Sequence, residues 1–66
     1  MSILLNNKTE TFYDGLTIQN LLENKNIKEK YFAVEVNEKI IPKSDHKTYM
    51  IRDGDRIEII TAIGGG

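Results

Sequence analysis

Gly64, Gly65 and Gly66 close the sequence, directly after Arg56-Ile57-Glu58-Ile59-Ile60-Thr61, the most strand-like stretch of the 66 residues. Glycine has no Cβ, so a run of glycines is thin and open to backbone angles closed to other residues. Such a segment can enter a tunnel where any side chain would jam. A chain ending there presents one reactive group, the Gly66 α-carboxylate, an anion near neutral pH with a reference pKa of about 3.3–3.7. That anion can attack an activated phosphate, but it is a poor acyl donor until something activates it. The other candidates offer less. There is no cysteine, which excludes a persulfide or thioester on the chain's own thiol. His46 adjoins Ser44 and Asp45, but adjacency in sequence does not create triad geometry, and a solvated loop histidine is expected. Asp53 and Asp55 flank Gly54 without the ligand spacing of a calcium loop and read as turn residues. Lys43, Lys47, Arg52 and Arg56 read as a solvated charged face. A glycine end can also be a frayed terminus, so the elements that carry it must decide.

A chain of 66 residues makes one small domain. With no disulfide available, stability must come from an economical single core. The net charge is −1 with lysines scattered among acids, a pattern that disfavours nucleic-acid binding. No apolar run approaches a membrane span, and Ile3-Leu4-Leu5 is too short for a signal-peptide core. The expectation is a cytoplasmic protein, monomeric when free, with no membrane or nucleic-acid partner and no metal.

Ile3-Leu4-Leu5, Asn6-Asn7 and Thr9-Glu10-Thr11-Phe12-Tyr13 read as a hairpin, since asparagine tolerates the left-handed angles of a tight turn. Asp14-Gly15 breaks the second strand. Thr17 is a plausible helix N-cap, and Ile18, Leu21 and Leu22 fall on one apolar stripe of a short helix that fades near Asn26. Phe32, Val34 and Val36 alternate onto one face of a third strand. Asn37-Glu38 makes the next turn, and Lys39-Ile40-Ile41 is a short strand stopped by Pro42. A polar connection with one helical turn near Ser44-Asp45 follows, then a brief apolar return over Thr48-Tyr49-Met50-Ile51. Asp53-Gly54-Asp55 is a strong turn signal, and the last strand runs from Arg56 to about Ala62.

One helix against one mixed sheet of four to five strands is an α+β roll. With the first and last strands as central neighbours, a β-grasp is the natural arrangement, as a domain over residues 1–62 and a flexible glycine tail over 63–66. If Ile3, Leu5, Ile57 and Ile59 face the helix, then Leu4, Ile60 and Ala62 face the open side of the sheet. With Ile63, they are the candidates for a partner-docking surface.

Several segments carry a resemblance to a known family. They are Asp14-Gly15-Leu16-Thr17-Ile18 with Leu21-Leu22, Val34-Glu35-Val36-Asn37 with Ile40-Ile41-Pro42, Asp53 through Ile63, and the terminal Gly65-Gly66. Together, in order and over essentially the whole chain, they resemble the ThiS family of ubiquitin-like sulfur carriers in thiamine thiazole biosynthesis. The Asp53–Glu58 segment, with the helix and Asn37 segments, also resembles the TGS domain, a β-grasp module of larger proteins that needs no free diglycine. The resemblance implies a ThiF-like E1 adenylyltransferase, with ATP and magnesium bound by that partner, which adenylates Gly66. A cysteine desulfurase or other sulfur donor then converts Gly66 to a thiocarboxylate, which thiazole synthase (ThiG) consumes. Gly65 and Gly64 give reach, the folded body supplies recognition, and the carrier itself contributes no acid or base and binds no cofactor. A carrier or modifier for another pathway, such as a molybdopterin synthase small-subunit-like protein, would use the same tail.

Overall fold

Asparagines in left-handed conformation set the first pairing of the sheet. Asn6 and Asn7 have φ of 46° and 69°, two consecutive positive values that match the twist of a two-residue hairpin. They join β1 (Ser2–Leu5) to β2 (Lys8–Thr11), antiparallel with Leu4 opposite Thr9. The computed structural model describes residues 1–61. Asn37 and Glu38, with φ of 51° and 71°, do the same for β3 (Phe32–Val36) and the two-residue β4 (Lys39–Ile40). The last strand, β5 (Arg56–Thr61), lies parallel to β1 on one side and antiparallel to β3 on the other. The order is β2-β1-β5-β3-β4, so β5 is central and β1 is its neighbour, as the sequence suggested.

The helix α1 (Ile18–Asn24) is short, and its ends are closed by side chains and main chain. The Thr17 hydroxyl accepts from the Asn20 amide at 3.1 Å, and the Asn20 side chain accepts from the Thr17 amide at 3.2 Å, a reciprocal cap. At the other end Asn26 takes a φ of 54°. The Ile27 amide bonds back to Leu22 and the Asn26 amide to Glu23, the Schellman closure that turns Ile27 onto the core. Lys25 reaches Glu10 on β2 at 2.7 Å, tying helix end to sheet.

Ile18, Leu21 and Leu22 meet Ile3, Leu5, Val34, Val36 and Ile57 from the sheet. Ile59 and Phe32 pack at the edge of this core rather than inside it. Two buried members, Leu16 and Ile51, come from connections with no strand periodicity. Their backbones pair across the gap, Ile51 amide to Leu16 carbonyl at 2.9 Å and Ile18 amide to Tyr49 carbonyl at 3.1 Å. The polar connection contains the expected turn, a 3-10 segment over Lys43–Asp45. This mixed five-stranded sheet over one helix is the β-grasp arrangement.

Candidate functional site

The central strand leads to the glycines. β5 is held on one side by β3, with Glu35 opposite Glu58, Val34 opposite Ile59, Ala33 opposite Ile60 and Phe32 opposite Thr61. On the other side β1 pairs with it only at Leu4–Arg56 and Leu5–Ile57. Ala62, Ile63, Gly64, Gly65 and Gly66 lie outside the described residues.

Strand alternation divides β5 cleanly. Ile57 is fully buried beneath the helix, whereas Ile60 is 49% exposed on the opposite face. Leu4, half-buried, lies on that open face beside Arg56. Leu4 is level with Arg56, and Ile60 lies four residues further along β5 with Glu58 between, so Leu4 and Ile60 are about 13 Å apart along the strand direction at roughly 3.3 Å per residue. The open face is thus apolar at two places with charge between them. Glu35, Glu38, Arg56 and Glu58 line a shallow dish there, and Arg56 reaches Glu38 at 3.8 Å. Ile40, opposite Glu35 and exposed, adds a further apolar group to the same face. Sequence reasoning did not single it out, because a strand of two residues has too little alternation to assign a face.

The turn before β5 uses both of its aspartates structurally. Asp53 accepts the Ser2 amide at 2.7 Å, while Asp55 accepts the Arg52 amide at 2.8 Å and the Asn37 side-chain amide at 3.0 Å. Asn37 in turn accepts the Arg56 amide at 3.0 Å. These contacts match the reading of Asp53 and Asp55 as turn residues. Gly54 sits between them at φ 85°, a left-handed position that favours glycine.

His46 corrects the sequence reading. It is 4% exposed rather than solvated, its Nε2 lies 3.0 Å from the Ile41 carbonyl, and its ring stacks obliquely on Phe32. A carbonyl only accepts, so Nε2 carries the proton. The His46 carbonyl accepts the Gln19 amide at 2.9 Å, so this residue fastens the 3-10 turn to both the sheet and the first turn of the helix. The flanking Lys43 and Lys47 are exposed and disguise a buried position.

Comparison with known proteins supplies what the described face cannot. A family model described as the ThiS family matches residues 3–66. The sulfur carrier protein ThiS of Escherichia coli is 30% identical over 66 residues, covering the whole of both chains. A thiazole synthase of Paramagnetospirillum magneticum is 35% identical over 66 residues, and this chain spans 20% of that protein's length. The crystal structure of a thiamine biosynthesis protein (ThiS) from Geobacter metallireducens superposes with a TM-score of 0.86 at 26% identity, covering all of both chains.

Proposed function

The chain belongs to the ThiS family, the sulfur carriers of thiamine biosynthesis, and on that premise we propose that its working group is the Gly66 carboxylate. The observation that carries this reading is a family match that begins in β1 and runs through Gly66 itself. In the proposed cycle an E1-like, ThiF-type adenylyltransferase holds ATP and magnesium. A Gly66 carboxylate oxygen bonds to the α-phosphorus as the bond from that phosphorus to the bridging oxygen breaks, and pyrophosphate leaves with the electron pair. The product is an acyl-adenylate, a mixed anhydride whose acyl carbon is now electrophilic. A sulfur nucleophile adds there and AMP departs. With a persulfide from a cysteine desulfurase relay, the first product is an acyl disulfide, and a thiol reductant cleaves it to the thiocarboxylate. Thiazole synthase takes the sulfur, and water restores the carboxylate. That recipient is supported by the thiazole synthase that contains a segment similar to this entire chain.

The carrier's part in this scheme is presentation. Gly66 is the covalent site, Gly65 and Gly64 provide a segment without side chains, and Leu4, Ile60, Ala62 and Ile63 form the docking surface beside it. Exposure of Ile60, and the placement of Leu4 on the same side of the sheet, support that assignment. Changing Gly66 to alanine, or appending one residue after it, is expected to abolish pyrophosphate exchange with the adenylating enzyme while the circular dichroism spectrum stays unchanged. Undiminished exchange by the extended chain would exclude Gly66 as the site of activation.

A further inference from the structure

We infer that Asn6 is a positioning residue: its side-chain amide continues the β1–β5 ladder after the β1 main chain has turned away, and so fixes the end of the strand that leads to Gly66. The Leu4 amide donates to the Asp55 carbonyl and the Asn6 amide to the Ile57 carbonyl, both at 2.9 Å. The next partner of this ladder, on β5, is Ile59. At Asn6, however, φ is 46° and the chain leaves the sheet for the hairpin turn. The Asn6 side chain then takes the place of the missing strand residue. Its Oδ1 accepts the Ile59 amide at 2.8 Å, and its Nδ2 lies 3.4 Å from the Ile59 carbonyl as donor.

A carboxamide carries the same donor and acceptor as a peptide group, and asparagine is the non-glycine residue that best tolerates the left-handed angle needed here. One residue therefore ends β1 and extends its pairing. Without the clip, the main-chain groups of Ile59 would face water on the β1 side, and the last residues of β5 would hang on β3 alone. Fraying there leaves the buried core in place, since among the described residues its members lie between Ile3 and Ile57 and Ile59 packs only at its edge. It matters to a partner that must read the folded body and the carboxylate together, because such a partner has to order whatever lies between them.

The inference rests on the carrier reading, and the test separates the two. Asn6→Gly keeps the left-handed turn and removes both bonds, whereas Asn6→Asp keeps an acceptor for the Ile59 amide. In Asn6→Gly, hydrogen exchange at the Ile59 amide, relative to that at Ile57, should quicken by about five- to tenfold, the worth of one hydrogen bond. In pyrophosphate exchange with the ThiF-type enzyme of the same cells, KM for the carrier should rise by about fivefold with kcat within twofold, the ordering cost of a loosened segment. Asn6→Asp should recover most of both. Wild-type-like KM in Asn6→Gly, or an unchanged exchange ratio, would overturn the role of the clip and leave the carrier reading standing. Failure of the wild-type protein to support pyrophosphate exchange would overturn both.

Discussion

Two of the asparagines at left-handed turns, Asn6 and Asn37, each do two things, and the second depends on where the fold brings it. Asn37 turns β3 into β4 and also accepts the Arg56 amide at the start of β5, while Asn6 meets Ile59 near its end. Their turn roles are visible locally, since Asn6-Asn7 and Asn37-Glu38 sit between strand-like runs. Their side-chain roles are not, because the Ile59 partner lies 53 residues from Asn6 in sequence. His46 shows the same limit from the other side. Its neighbours Lys43, Ser44, Asp45 and Lys47 read as surface, yet the 3-10 turn rolls the imidazole under Phe32 and onto the Ile41 carbonyl. His46→Ala should therefore destabilise the protein by about 1–3 kcal/mol, the cost of leaving a buried acceptor unpaired. That loss is read as a fall in Tm of several degrees, at roughly 4–8 °C per kcal/mol for a domain of this size. A Tm within one degree of wild type would mean that the imidazole is replaceable by water.

Among the elements, β5 has two unlike faces, with Ile57 buried beneath the helix and Ile60 exposed on the other side. Ile57→Asp places a charge in the core and should prevent folding. Ile60→Asp, three residues on and facing outward, should hold Tm within about 3 °C and weaken association with the adenylating partner. Leu4→Asp should behave similarly with a somewhat larger loss of stability, since Leu4 is half-buried. Thermal melts set beside binding isotherms check all three, and unfolding of Ile60→Asp would show that the faces are assigned wrongly. Glu35 and Glu58 stand directly opposite on that outer face, an arrangement of like charges that destabilises a strand pair. Neutralising one of them, in Glu58→Gln, is expected to raise stability by about 0.2–1 kcal/mol, less in high salt. A drop in Tm would show that Glu58 is paired favourably. The alternation in β1, β3 and β5 was legible from residue types, as was the Thr17 cap. Leu16 and Ile51 were not, because both reach the core from connections that no periodicity marks.

As a whole, the proposed function divides the molecule into a body that folds and an end that reacts. Among the described residues, the buried core members fall between Ile3 and Ile57, with Met1 and Ile59 packed against them. A chain ending at Ala62 is thus expected to melt within about 3 °C of the full sequence and to be inert towards the adenylating enzyme. The fold alone would serve a binding module equally well, since a β-grasp body hosts many functions. What distinguishes a carrier is chemistry at Gly66. The most direct measurement is the intact mass of the protein after incubation with the adenylating enzyme, ATP, magnesium and a sulfur donor, followed by fragmentation. A species heavier by the difference between one sulfur and one oxygen is expected, localised to Gly66 and absent when a residue is appended after it. A protein of unchanged mass, or the same gain located elsewhere in the chain, would contradict the carrier reading.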